Sequence, residues 1–436
     1  MKLYKYSNYI VNVISSFLMN RHLDYEGISF KIRHHSEQGS PQGSCLSPKI
    51  WCILINDFLY HLENENFAVH AYADDIAITF SANSRHEVES KGNYCLKITE
   101  DWMEINNLKI NYEKSNFIVH KNTFSPNRPP KISTEKGLIK YKDKVKYLGI
   151  IIDTKLNFFE HLKYSIEKAQ NLFHKLRRIA VSKFKNSLII LRTLYKTVFI
   201  PILSYGVVVW GHQIRLKNFQ RKILSCQRLP LLIILKAYRT TSTLSLQVLS
   251  NEEPLDLILT KLMMVGLLTR HKKSALIENN WYHPEPQMTK KDYKKLIQIE
   301  ILRIWQKRWN MAMESRTLYR WMPSIKTRIK SPWFKPHDKI VQILTGHGNF
   351  NQYFTRFNIR RQQNCQFCND PIENNIHIIF DCNFNQKHRD AFFIKTHLDL
   401  LKFNMRKILQ TKSLYQEFTL TILNIFDSRK SEEEEA

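Results

Sequence analysis

The chain has 436 residues, 43% of them hydrophobic, and a formal net charge of +27 from 66 Lys and Arg against 39 Asp and Glu. This composition places it among globular proteins, excludes a low-hydrophobicity disordered chain, and predicts two or three domains. A pI near 9.7 attracts polyanions and makes nucleic acid the default partner, although net charge says nothing about fold.

The N-terminal stretch "MKLYKYSNYIVNVISSFLMNR" sets basic residues before an apolar run, but Asn12, Ser15 and Ser16 interrupt it and no small-residue cleavage site follows. It reads as an amphipathic helix, followed by a ribbon over "HLDYEGISFKIRHHSEQ". "GSPQGSCLSP", residues 39–48, then concentrates two of the 11 glycines and two prolines just before a helix start. Ser47 is expected to cap that helix and Pro48 suits its first turn. Ile50, Trp51, Leu54, Ile55, Phe58 and Leu59 follow at helical spacing, so one face is buried.

"FAVHAYA" and "IAITFSA" read as strands joined at Asp74-Asp75, a hairpin with acidic residues at its tip. A polar helix is predicted from about Ser84 to Asn106. "LKINYEKSNFIVH" and "KVKYLGIIID" read as further strands separated by the loop "SPNRPP". From about Asn157 the pattern turns helical: Leu162, Ile166, Ala169, Phe173, Leu176 and Ala180 form a stripe, with Lys163, Lys168, Lys175, Arg177 and Arg178 largely off it. Such a basic face can meet phosphates, though by itself it is ordinarily a solvated surface.

Residues 217–260 read as helical around "AYRTTSTLSLQVLS", and a polar linker is expected near 270–290. Beyond it Trp305, Trp309, Trp321 and Trp333 are interleaved with Lys and Arg; such aromatics are more often core than base-stacking platforms. The "SEEEEA" end reads as a disordered acidic tail, and there is no internal repeat. The longest apolar stretch, "VFIPILSYGVVVWG", is too short to span a bilayer and is broken by Pro201 and Gly206. A soluble, intracellular protein of nucleus and cytoplasm, with no membrane partner, is therefore expected.

Seven cysteines include the group Cys365, Cys368 and Cys382, and an odd number with one cluster reads as reduced thiols plus a metal site. Cys365, Cys368, His377 and Cys382 have the spacing C-x2-C-x8-H-x4-C, in which three thiolates and one imidazole complete a tetrahedral Zn²⁺ shell. Unrelated buried cysteines are the lesser alternative, because three of the seven fall within eighteen residues. His388 is a weaker substitute ligand. Paired aspartates at a turn are ordinarily turn formers, but carboxylates on a rigid strand end are also what a two-metal phosphoryl-transfer site requires.

"GSPQGSCLSPKIWCILINDFL" followed by "AYADDIAI" resembles two successive motifs of reverse transcriptases, in particular those of non-LTR (LINE-type) retrotransposons. "LKINYEKSNFIVH" and "VKYLGIIIDTKLNF" are similar to the next two motifs in order, and "AYRTTSTLSLQVLSNEEPLDL" and "LTGHGNFNQYFTRFN" to downstream segments of jockey-like and site-specific arthropod elements. The resemblance implies an α+β fold: a partial reverse transcriptase palm over residues 1–155, a helical thumb over 156–260, a helical connector over 261–345, a zinc-knuckle-like segment over 346–400 and a C-terminal helix with acidic tail over 401–436. It assigns Asp74 and Asp75 to catalysis and Mg²⁺ binding, Gln42, Gly43, Tyr72 and Lys114 to substrate binding, and Leu148 and Gly149 to the primer grip. Where the family often has Thr after that lysine, this chain has Ser115.

In the palm the stretch matching "SPQGS" passes beside the nascent base pair, which accounts for its small residues. The family uses a further aspartate on an earlier strand, and Asp24 lies too close to the glycine-rich turn to supply it. The expected activity is RNA-directed DNA synthesis on an RNA template with a DNA primer or target DNA, inactive in this chain alone. A non-catalytic nucleic-acid-binding remnant is the alternative, and association with a full-length element protein is a further expectation.

Overall fold

The structure is a computed structural model that describes residues 6–36, 38–120, 128–183, 187–398 and 404–435, leaving aside the side chains of 179–183 and 187. It forms two compact units, Met1–Leu156 and Asn157–Ala436. Part of the expected "SPNRPP" loop (125–127), and the side chain of Ala180 in the predicted stripe, lie outside the described residues.

Unit 1 begins with helix α1 (Asn8–Leu18) and an antiparallel hairpin of β1 (Arg21–Glu26) and β2 (Lys31–Ser36). Asp24 faces Arg33 across this hairpin and accepts from its guanidinium at 2.7 and 3.0 Å. Helix α2 (Ser47–Asn64) follows: Ile55 and Phe58 of its predicted apolar stripe, with Leu62 beyond it, join Phe67, Val69, Cys95 and Trp102 in one core, while Trp51, Leu54 and Leu59 are partly buried against it. The start of α2 differs from expectation. Ser47 is the first helical residue rather than the cap, and its hydroxyl reaches back to the Pro41 carbonyl at 2.6 Å; Pro48 sits in the first turn as anticipated.

Strands β3 (Ala68–Tyr72) and β4 (Asp75–Thr79) pair antiparallel. Helix α3 (Arg85–Ile105) is capped by Ser84, whose hydroxyl accepts from the Glu87 N–H. Phe58 of α2 packs on Trp102 of α3 at 4.9 Å, and the Trp102 indole donates to Asp57 at 2.9 Å. The strand expected over "LKINYEKSNFIVH" shrinks to β5 (Asn116–Phe117). The reason is local: the Asn111 side chain accepts from the Lys114 N–H, and the Ser115 hydroxyl donates to the Asn111 carbonyl, closing a turn where a ladder would have run. β6 (Ile132–Ser133) and β5 flank β7 (Leu138–Tyr141), while β8 (Lys144–Tyr147) and β9 (Ile150–Asp153) form a hairpin where the sequence reads as one strand.

Unit 2 is mainly helical. Its first helix, α4 (Phe159–Lys183), buries Leu162, Ile166, Ala169 and Phe173. Helix α5 (Ser187–Leu194) runs through a π-helical turn at Tyr195–Phe199 into α6 (Ile200–Ser204), where Pro201 has no N–H to continue the α-helical ladder. α7 (Val207–Trp210), α8 (Lys217–Leu235), α9 (Thr243–Ser250) and α10 (Leu255–Thr269) complete a core around the fully buried Trp210, Phe219 and Met264. No single helix among the described residues is long and apolar enough to cross a membrane. The bent pair Leu188–Ser204 and Val207–Arg215 passes by length and composition only.

The expected polar linker contains a small hairpin, β10 (Ala275–Ile277) with β11 (Asn280–Tyr282), because Ala275 and Ile277 alternate into the core. Helix α11 (Lys290–Asn310) starts from a Thr289–Asp292 capping box and buries Trp305 and Trp309; Trp321 at the end of α12 (Arg316–Trp321) is buried too. α13 (Ile325–Ile329), α14 (Asp338–Thr345), α15 (Asn351–Arg356), α16 (Gln386–Thr396) and α17 (Met405–Gln410) lead to α18 (Lys412–Glu435). The acidic end is not disordered. Glu432 to Glu435 extend α18, helped by good helix propensity, a Lys430–Glu434 pair at 3.2 Å, and the Gln366 amide donating to Glu433 at 2.6 Å.

Candidate active site and metal centre

In the β3–β4 hairpin Tyr72 pairs with Asp75, which leaves Ala73 and Asp74 as the turn. Ala73 adopts φ +53°, a left-handed conformation uncommon for a residue with a side chain. It is anchored from α2: the Trp51 indole donates to the Ala73 carbonyl at 2.9 Å. Tyr72, Asp74 and Asp75 are exposed, so both carboxylates are open to an approaching ion or phosphate. Burial, and after it the Asp75 charge, hold the Tyr147 phenol above its ordinary value. Leu148 and Gly149, the turn of that hairpin, both have positive φ (+45° and +81°), as a tight two-residue hairpin turn requires.

The glycine-rich turn precedes α2. Gly39 and Gly43 take φ +72° and +88°, and a Cβ at either would meet nothing within 4 Å. In the free chain glycine is therefore required by backbone conformation rather than by crowding. Gln42 and Gly43 are exposed, while the Ser44 hydroxyl accepts from the Leu46 N–H at 3.1 Å and stiffens the approach to α2. Lys114 is exposed in its own Asn111-closed turn. Along α4, Lys163, Lys168, Lys175 and Arg178 are exposed, and Arg177, at the edge of the buried stripe, is half-buried.

The four C-terminal residues converge. The ligand atoms of Cys365, Cys368, His377 and Cys382 all lie within 4.8 Å of one another, three of the residues are buried, and all three thiols are free. The Cys365 and Cys382 sulfurs are 3.9 Å apart, those of Cys368 and Cys382 3.8 Å, and Cys368 Sγ lies 3.4 Å from His377 Nε2. Contact with the Cys382 thiol, helped by the N–H groups of Phe367 and Cys368, holds the Cys365 thiol well below its usual range; Cys382 is pushed up in consequence. The Asn369 N–H donates to the Cys365 carbonyl and the Cys365 N–H to the Asp370 carbonyl, so the CxxC segment is a closed knuckle. The other imidazole nitrogen of His377 lies 3.6 Å from Asp370, in the manner of a carboxylate that orients a ligating histidine. His388 is engaged elsewhere, 3.0 Å from the Ser428 hydroxyl.

Among the described residues this is the one cluster of three or more potential ligands, so no third group joins Asp74 and Asp75. Three contributors escape sequence reading: Trp51, Tyr147 and Asp370. Asp370 stands two residues after Cys368 and is visible as a candidate from spacing alone. Trp51 carries only the signature of a core residue, and nothing in the local sequence around Tyr147 links it to Asp75.

Replacing Trp51 with Phe keeps the ring and removes the donor to Ala73. The loss of that bond is expected to cost about 1 kcal/mol locally and to raise amide exchange across residues 72–75 roughly fivefold. Hydrogen-exchange mass spectrometry checks this; unchanged exchange would show that the turn is held without the indole.

Residues 2–152 match the family model of reverse transcriptase (RNA-dependent DNA polymerase). The chain is 30% identical over 378 residues to a Retrovirus-related Pol polyprotein from type-1 retrotransposable element R1 of Bradysia coprophila, covering 86% of this chain but 37% of that relative. A second R1 polyprotein, from Nasonia vitripennis, is 27% identical over 81% of this chain and 87% of its own length. The RNA-directed DNA polymerase from mobile element jockey of Drosophila melanogaster is 29% identical over 206 residues, 46% of this chain and 22% of the relative. The chain thus spans little more than a third of the Bradysia relative, although it spans most of the Nasonia one. Residues 2–152 thus match the reverse transcriptase family, and the chain as a whole is similar to the polymerases of LINE-type, non-LTR retrotransposons.

Proposed function

We propose that this chain is part of an RNA-directed DNA polymerase of a non-LTR element, with unit 1 acting as palm and the basic helices of unit 2 as a thumb. The observation that carries this reading is the pair Asp74 and Asp75 at an exposed hairpin turn, anchored by Trp51 to the helix that follows the glycine-rich turn. In such a site Mg²⁺ stabilises the charge that develops on the attacking and leaving oxygens. Asp74 and Asp75 contribute carboxylates, Gln42 and Gly43 line the path of the nascent pair, and Lys114 faces the nucleotide phosphates. Leu148 and Gly149 steady the primer, and the cationic face of α4 takes the backbone of a template–primer duplex. Among the described residues no third carboxylate completes the set, so the chain binds nucleic acid without extending a primer on its own. A full-length element protein in the nucleus or cytoplasm is the partner that would supply the rest.

The C-terminal cluster fits Zn²⁺. Tetrahedral arms of about 2.3 Å to sulfur and about 2.0 Å to nitrogen place sulfurs about 3.8 Å apart and sulfur about 3.5 Å from nitrogen. The separations of 3.9, 3.8 and 3.4 Å agree with that shell. The second reading, a non-catalytic nucleic-acid-binding remnant, is favoured by the same lack of a third carboxylate; it keeps the cationic face and the zinc knuckle and drops the metal role of Asp74.

Mn²⁺ at concentrations on the order of a millimolar, suited to a site of few carboxylates, should broaden the amide resonances of residues 72–75. The broadening should vanish in Asp74→Ala. Broadening spread evenly over surface acids, or equal in both proteins, favours the remnant. Binding to an RNA–DNA hybrid should weaken steeply with salt. Reversing Lys175, Arg177 and Arg178 to Glu should flatten the log–log salt slope by about three. A slope unchanged in fluorescence anisotropy titrations would leave this face merely solvated.

A further inference from the structure

We infer that Arg429, on the C-terminal helix, is the counter-cation of the Cys365–Cys368–His377–Cys382 centre and a positioning residue for its metal. This inference rests on the zinc reading and concerns what that reading leaves unexplained: how a buried, charged centre is tolerated and why α18 closes over it.

Three thiolates, a neutral imidazole and Zn²⁺ sum to a charge of about −1. Cys365 and Cys382 are each 0% exposed, so solvent does little to offset that charge. The Arg429 guanidinium, itself 6% exposed, sends one Nη to Cys382 Sγ at 3.9 Å and the other to Glu373 at 3.0 Å. Its plane lies over the Phe367 ring, 4.1 Å from the centroid, inside the CxxC knuckle. A planar fork suits this task, because one group can meet a sulfur, a carboxylate and an aromatic face together. A second arginine, Arg389, donates to the Cys382 carbonyl at 2.8 Å from the backbone side. The helix carrying Arg429 makes further links to the knuckle region, Ser428 with His388 and Glu433 with Gln366. Metal binding and docking of α18 are thereby coupled through one buried cation.

The test compares the full chain with Arg429→Met and Glu373→Gln. Both substitutions break the Arg429–Glu373 pair; the first removes a cation from the thiolates, whereas the second removes a carboxylate that also lies against Cys365. Metal analysis of the wild type should find about one equivalent of Zn²⁺, and its absence would remove the zinc reading itself. With zinc present, release to excess chromogenic chelator should be at least about tenfold faster from Arg429→Met, the usual loss for an outer-shell partner, and no faster than wild type from Glu373→Gln. The thiolate-to-metal absorption of the Co²⁺-substituted protein should shift in the first variant alone. Arg429→Lys, which keeps the charge with less disturbance, should retain zinc better than Arg429→Met. Equal release from wild type and Arg429→Met, or equal acceleration in Arg429→Met and Glu373→Gln, would overturn the inference while leaving the zinc site standing.

Discussion

One hydrogen bond joins the two parts of unit 1 on which the proposed chemistry depends: the Trp51 indole to the Ala73 carbonyl, at 2.9 Å. Upstream of Trp51, the Ser47 hydroxyl ties the start of α2 to Pro41 in the glycine-rich turn. Downstream, Ile55, Phe58 and Leu62 root the same helix in the core against Trp102. The glycine-rich turn, the helix and the acidic hairpin are therefore linked through these bonds and a shared core. That matters for a site of two adjacent, exposed carboxylates, because their mutual repulsion would otherwise spread a flexible turn, and positioning is most of what a phosphoryl-transfer site needs from its protein.

Unit 2 answers a different problem. Its helices bury Trp210, Trp305 and Trp309 completely, so those three aromatics offer no stacking surface, while Trp281 stays exposed. The buried Arg328 donates to the carbonyls of Val248, Leu249, Ser331 and Phe334, stapling α9 to the segment after α13 without any carboxylate partner. The C-terminal end combines an apolar centre of Phe392, Phe418, Ile422 and Ile425 with the four sulfur and nitrogen ligands, against which Arg429 and Glu373 pack. Beside that apolar centre the buried charges are paired, Arg429 with Glu373, as buried charges must be.

Periodicity made the long elements legible. The stripes of α2 and α4, the Ser84-capped helix and the strands on either side of Asp74-Asp75 all stand where their patterns place them, because each pattern reports burial on one face. The four ligands at 365–382 were legible from spacing, since their ligand atoms do converge. The failures share a cause: a side chain competing locally with the backbone. Ser47 could cap α2 but bonds Pro41 instead, and Asn111 and Ser115 close a turn that apolar alternation read as a strand. The acidic end was misread because composition ignores i,i+4 pairing and a distant Gln366. Trp51 and Arg429 were invisible as functional residues because their partners are 22 and 47 positions away.

The central claim is that Asp74 belongs to a polymerase metal site that this chain holds only in part. Primer extension on an RNA template with Mg²⁺ tests it most directly, using the chain alone, the chain fused behind the remaining polymerase segment of an R1 relative, and Asp74→Ala in each. The account predicts no Asp74-dependent extension by the chain alone and clear extension by the fusion that Asp74→Ala abolishes, since each ~1.4 kcal/mol of lost transition-state stabilisation costs about tenfold in rate. Extension by the chain alone that disappears in Asp74→Ala, or extension by the fusion that survives it, would contradict the account.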